Sequence, residues 1–249
     1  MTRNKLIPAL AAIILLASTS CQKAISYLAS DECNAKGPIV TESRTLDQVN
    51  GLVSTRGLNV IYIQSDSLSL TVEAPQDIME FITTNNNGGT LTVGSTKNLN
   101  GCASKVTVTV KAPGINGFDA SSGSSLSIPE AYNLPDGSVR ITTSSGAAFN
   151  AGQFDASQIS LSSSSGSAIN ISGINARKVN GSSSSGAAMS IKGKTENVGL
   201  SASSGASISA GGLQSQTGSA SASSGGAVDC NILKSPRTSA SSGGSINNR

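Results

Sequence analysis

Apolar residues in the second half of the chain keep fixed distances from a recurring Ser-Ser-Gly, whose glycine stands at 123, 146, 166, 186, 205, 225 and 243. Three places after each glycine come Leu126, Phe149, Ile169, Met189, Ile208, Val228 and Ile246. Five places after come Ile128, Ala151, Ile171, Ile191, Ala210 and Cys230, with Asn248 breaking the column in the last unit. Eight places after stand Phe154, Ile174, Leu213 and Leu233, interrupted by Lys194. Ahead of the glycine, Val139, Ile159, Val179 and Val198 recur at seven places, and Phe118, Ile141, Leu161 and Leu200 at five. A flexible Gly/Ser linker has no reason to keep such a register, because a random coil is indifferent to which neighbour is apolar.

Within a unit the apolar positions alternate with polar ones, so the period is two and the predicted elements are short strands joined by tight corners. The glycines are spaced by 23, 20, 20, 19, 20 and 18 residues. Strand-built repeats of about 20 residues specify an all-β fold, a parallel β-solenoid (β-helix). Each coil pairs with the coils above and below it, and the apolar columns stack into one core. A single coil cannot stand alone. Full burial of a Val, Ile or Leu contributes about 1.5–3 kcal/mol, whereas ordering each backbone residue costs roughly 1–2 kcal/mol, so a coil needs neighbours on both faces.

If the residues seven and five places before the glycine point inward, those four and two places before it point out. These are Thr142 and Ser144, Ser162 and Ser164, Ser182 and Ser184, Ser201 and Ser203, Ser221 and Ser223, and Ser239 and Ser241. They make two parallel hydroxyl ladders at the strand spacing of about 4.8 Å. Ser162, Ser164, Ser182, Ser184, Ser201, Ser203, Ser221 and Ser223 are the candidate binding face. The residues between the ladders, Thr143, Ser163, Ser183, Ala202, Ala222 and Ala240, face inward and are small. Their hydroxyls need partners along the column, since an unmet buried hydroxyl costs about 1–3 kcal/mol. Glycine at the corner permits positive φ.

The region 39–117 is less regular. Residues 60–63, 68–72, 91–93 and 106–110 read as strands between Asn-Gly and Gly-Gly corners, and 78–83 as a short helical turn. This part is expected to begin the same architecture and to cover its first edge, ahead of the repeat solenoid over 118–249. Asp66-Ser67-Leu68 resembles an acceptor triplet for bacterial O-glycosylation on Ser67, and an exposed tip is the plainer reading.

The order of these segments resembles the bacterial putative auto-transporter adhesins with a head GIN domain. The resemblance rests on several segments in sequence: Leu58-Asn59-Val60 through Gln64, Val72-Glu73-Ala74, and Ile82-Thr83-Thr84 before Gly89-Thr90-Leu91-Thr92-Val93. Residues 106–113 and the serial Ser-Gly units complete it, and it covers about residues 40–249. Gly114-Ile115-Asn116 and Gly173-Ile174-Asn175 spell the tripeptide. The resemblance implies an exported, often lipid-anchored, β-helical surface protein with no assigned catalytic residues.

Residues 1–20 read as an export signal: Arg3 and Lys5 precede an apolar run over 6–17, and Ser18-Thr19-Ser20 leads to Cys21. This looks like a lipoprotein signal that leaves lipid on Cys21, with an ordinary secretory signal as the alternative. The run falls short of the roughly 20 residues of a membrane-spanning helix. Residues 21–38 would then be a tether. Of the remaining cysteines, Cys33 and Cys102 either pair outside the cytoplasm or stay as buried thiols, and Cys230 sits in a core column as a small hydrophobe.

Composition narrows the chemistry. Histidine is absent, which removes the commonest general base and zinc ligand. Lys and Arg number 17; without Arg3 and Lys5 they are 15 against 14 Asp and Glu, a near-neutral balance that does not suit nucleic acid. Asp119, Glu130, Asp136, Asp155, Glu196 and Asp229 scatter among different repeat positions, and no calcium-binding nonapeptide or phosphate loop is present. The expected function is non-enzymatic, with no catalytic, cofactor or metal residues. The expected protein is an adhesin-like envelope lipoprotein at the outer membrane or cell surface. It would be held to the membrane through Cys21 and present its face to glycan or protein partners, in an oligomeric state left open. The alternatives are a carbohydrate-active β-helix and an ice-binding solenoid acting through the Ser-x-Ser ladder.

Overall fold

The computed structural model describes residues 33–249; the segment 1–20 read as an export signal, Cys21 and most of the expected tether 21–38 lie outside the described residues. The first part comprises β1 (Ile39–Arg44), β2 (Gly51–Ser54), β3 (Asn59–Gln64) and β4 (Ser69–Pro75), then a 3-10 turn at Met79–Phe81. It continues with β5 (Ile82–Asn87), β6 (Thr90–Ser95), a second 3-10 segment at Asn100–Lys105, β7 (Thr107–Ala112), β8 (Gly117–Ala120) and β9 (Ser125–Ile128). The coils that follow are long bent strands: β10 (Tyr132–Thr143), β11 (Ala148–Ser163), β12 (Ala168–Ser183), β13 (Ala188–Ala202) and β14 (Ser207–Ala222). The short strands β15 (Ala227–Ile232), β16 (Arg237–Ala240) and β17 (Ser245–Asn248) make up the last turns.

The architecture is the β-solenoid that the repeat specifies. Successive coils pair in parallel, so that Leu126, Phe149, Ile169, Met189, Ile208, Val228 and Ile246 stand one above the other. All of them but Ile246 are essentially sealed from solvent. In β11 the in/out alternation slips at residues 151–153 and again at 156–157. Each slip is a bend in the strand, and with the Ser-Gly turn the two bends give a coil of three walls.

The less regular part belongs to the same stack. β2 lies between β6 and β8, and β3 between β7 and β9, all parallel. The chain therefore lays down one coil as β2 and β3, inserts a second beneath it as β6 and β7, and continues above it with β8 and β9. β4 runs antiparallel to β7, β5 to β6, and β1 to β4, which covers the start of the stack. Cys33 and Cys102 form a disulfide, so of the two readings open from sequence the paired one holds. It ties the segment ahead of β1 to the 3-10 turn at Asn100–Lys105. Tyr62, Phe118, Tyr132, Phe149 and Phe154 form one buried aromatic cluster in the core, with Tyr132 stacked on Phe154 at 4.4 Å. The Tyr62 hydroxyl donates to the carbonyls of Ala112 and Pro113, and that of Tyr132 to Ile115.

Two column assignments change. Lys194 does not interrupt the column eight places after the glycine, because β13 is one residue shorter at that bend and Gly193 stands opposite both Ile174 and Leu213. A Cβ at Gly193 would lie 2.0 Å from the Ile174 carbonyl oxygen, so only glycine fits. Leu233 leaves the core and is 48% exposed. β15 cuts across the bend, and Ile232 takes the inward place opposite Ser215. In the terminal coil the inward Ala240 is also exposed, since no described coil lies above it.

Candidate functional site

The turn fixes the walls. In every unit the serine just before the glycine has positive φ, from 48° to 54°, and all seven glycines follow at 69–77°. Two consecutive left-handed residues are what a type I′ turn requires, and the residue after the glycine donates back across it, as Ala147 does to Ser144 at 3.1 Å. Arg56 and Gly57 repeat the geometry at 60° and 74°. The turns are bonded to each other as well. The Gly57 amide donates to the Ser122 carbonyl and that of Gly123 to Ser145, and the pattern continues up to Gly225 and Ser242, at 2.9–3.2 Å. Beneath the turns lies a buried hydroxyl chain. Thr143 pairs with Ser167 at 2.9 Å, Ser163 donates to Ser183 at 2.9 Å, and Ser183 donates to the Ala187 carbonyl at 3.1 Å. These contacts are the partners that the inward hydroxyls need, and in the later coils Ala202 and Ala222 replace them.

Locked in this way, the wall ahead of the turn presents straight outward columns. Thr142, Ser162, Ser182, Ser201, Ser221 and Ser239 are aligned rung on rung, with Ser162, Ser182 and Ser201 exposed. Ser164, Ser184, Ser203 and Ser223 lie at the edge of the turn and are half-buried. Two further columns on the same wall were not singled out from sequence. One runs Ser138, Gln158, Lys178, Asn197, Thr217; the other runs Arg140, Ser160, Asn180, Gly199, Ser219, Arg237. Their signal was present at eight and six places before the same glycines. Asn197 donates to Thr217 at 3.0 Å. A groove of about 450 Å³ crosses the upper rungs, flanked by Lys178, Asn180, Asn197, Thr217 and Arg237 and floored by Gly199 and Gly218. The ion pairs among the described residues, Arg44 with Glu42 and Arg249 with Asp229, lie elsewhere.

The carboxylates do not converge. Asp155 and Glu196 line a second groove of about 340 Å³ but alternate there with Arg177 and Lys194, and Asp229 is held by Asn247 and Arg249. No group of three His, Cys, Asp or Glu among the described residues could hold a metal ion. Cys230 is buried, and burial first, then the charge of Asp229, pushes its thiol pKa up, so it stays protonated. Ser67 is exposed in the turn between β3 and β4, bonded to the Ser65 hydroxyl at 3.0 Å.

Several solved structures share this fold. A protein from Parabacteroides distasonis ATCC 8503, described as a putative lipid binding protein, superposes with a TM-score of 0.74 at 14% identity over 86% of this chain and 98% of its own. A putative adhesin from Parabacteroides merdae ATCC 43184 gives 0.69 at 14% identity, again over 86% and 98%. One from Bacteroides fragilis NCTC 9343 gives 0.61 at 16% identity over 86% and 99%. No curated protein matches the chain in sequence. The family model described as "Putative auto-transporter adhesin, head GIN domain" matches residues 49–249, and the chain belongs to that family.

Proposed function

We propose that the protein is a non-enzymatic binding protein of the cell envelope, adhesin-like, exported and anchored through lipid on Cys21, which meets glycan or protein partners with the wall ahead of the Ser-Gly turn. The observation that carries this reading is the register of that wall. Three outward columns of hydroxyl, amide and occasional cationic groups are held at strand spacing by a core that runs unbroken behind them. A rigid lattice of donors and acceptors of this kind suits an extended partner bound by many weak contacts. Family membership and the fold shared with structures described as adhesins support the same reading. Dispersed carboxylates give a carbohydrate-active enzyme little support.

The test is a screen of the full chain against glycans and matrix proteins, repeated with Ser182→Trp plus Ser201→Trp and with Gln214→Trp on another wall as control. Loss of a captured ligand in the first variant and retention in the second is the expected result. Ligands lost equally from both, or no capture at all, would overturn the reading. The anchor is tested separately: Cys21→Ala protein is expected to leave the membrane fraction.

A further inference from the structure

Once the register is known, the charges on the binding wall sort by sign. From the coil at 138–142 to that at 235–239, its three outward columns hold Arg140, Lys178 and Arg237, together with serine, threonine, asparagine, glutamine and glycine, and no Asp or Glu. Outside these columns Asp155, Glu196 and Asp229 fall on the other two walls or their bends, Asp136 is exposed in β10 two residues ahead of Ser138, and Asp119 stands on the rung below Thr142. Arg140, Lys178 and Arg237 are all exposed. Lys178 lies two rungs above Arg140 and three below Arg237, offsets of about 10 and 14 Å along the axis at strand spacing. Between the last two runs the groove over Gly199 and Gly218, where Asn197, Asn180 and Thr217 offer both donors and acceptors.

We propose that this groove binds an anionic glycan, a chain rich in hydroxyls with sparse carboxylate or sulfate groups that meet Lys178 and Arg237, with Arg140 extending the track. The proposal rests on the reading of this wall as the binding face and names the ligand class. The ligand's sparse charge follows from three cations over six rungs, too few for a nucleic acid, and no aromatic side chain is there to stack a base. Its hydroxyl content follows from the lattice between the cations. No outward position of the three columns carries a large apolar side chain, so the wall has neither the buried anchors of a protein interface nor the wedge that a membrane surface would take.

The full chain is tested against alginate, dextran sulfate, neutral dextran and phosphatidylglycerol vesicles. Arg140→Gln/Lys178→Gln/Arg237→Gln is run beside the control Lys192→Gln/Lys194→Gln. The expected result is capture by a polyanionic glycan over neutral dextran, weakened by salt. The triple variant should lose binding by about tenfold or more with its melting temperature unchanged, and the control should keep it. Preference for the vesicles, or polyanion binding that survives the triple substitution, would overturn the proposal. Capture of neutral dextran that the triple variant retains and Ser182→Trp/Ser201→Trp abolishes would overturn it while sparing the wall as a binding face. Binding in no arm would overturn the anionic assignment, while the broader glycan and matrix-protein screen decides the parent reading independently.

Discussion

The amide of Gly57 donates to the carbonyl of Ser122 at 2.9 Å, the same bond that joins every later turn to the next. Arg56-Gly57 is therefore the first unit of the repeat, separated from the second by an insertion that goes beneath it. It carries the same register, with Leu52 and Ser54 before the glycine and Leu58, Val60 and Tyr62 after it, all buried.

The turn predicts an asymmetry between adjacent residues. Gly166 has φ of +69° and open space where a Cβ would be, so Gly166→Ala meets only the conformational cost of the left-handed region, about 1–2 kcal/mol. Ser165 has φ of +53° without being glycine. Ser165→Gly is expected to be neutral to stabilising, by up to about 1 kcal/mol, and Ser165→Val clearly destabilising. Denaturant melts of the three variants check the order.

Inward and outward serines should differ sharply. Ser183→Ala leaves the Ser163 hydroxyl and the Ala187 carbonyl without their buried partner and is expected to cost about 1–3 kcal/mol. Ser163→Ala/Ser183→Ala should cost less than the sum of the single changes, because Ala202 already fills that column one coil on. Ser162→Ala, on the outer face, is expected within about 0.5 kcal/mol of the parent. Thermal melts in which Ser162→Ala and Ser183→Ala behave alike would contradict the assignment of faces.

Much of this was legible because the glycine gives an origin from which to count, and alternation then sorts core from surface. The bends were not legible. Lys194 and Leu233 were placed by counting a constant number of residues, whereas the structure shortens those two coils, setting Gly193 opposite Ile174 and Ile232 inward. The first turn was hidden because Arg56 replaces the serine and the insertion breaks the spacing. The sorting of charge on this wall was hidden for a different reason: Arg140 and Arg237 stand at opposite ends of one column, Lys178 stands in a second, and the three share a face only after the coils are stacked.

The disulfide closes a separation of 69 residues between the N-terminal segment and the 3-10 turn under the first coil. Chain-entropy reasoning gives a loop of this length about 4 kcal/mol, at the upper end of the usual contribution of about 2–4 kcal/mol. Reduction, or Cys33→Ser/Cys102→Ser, should lower the denaturant midpoint accordingly, and an unchanged midpoint would show that the bridge contributes nothing to the fold.

Alkaline stability follows from the buried phenols. Burial pushes the Tyr62 and Tyr132 hydroxyls well above their ordinary pKa of about 10. A raised folded-state pKa means that the stabilisation is complete below about pH 10 and is lost as pH rises from there toward the folded value. The denaturant midpoint should hold up to about pH 9 and then fall. In Tyr62→Phe/Tyr132→Phe, which is less stable at neutral pH for want of the carbonyl hydrogen bonds, that alkaline fall should be shallower.

The stacked register itself is tested most directly by distances between spin labels placed in one outward column, pairing Asp119 in turn with Ser162, Ser201 and Ser239. These residues lie two, four and six rungs apart. The expected distances rise linearly, by about 4.8 Å per rung, from roughly 10 to 19 to 29 Å. Broad distributions, or separations that grow with sequence distance instead of rung number, would contradict the solenoid and the proposal built on its outward wall.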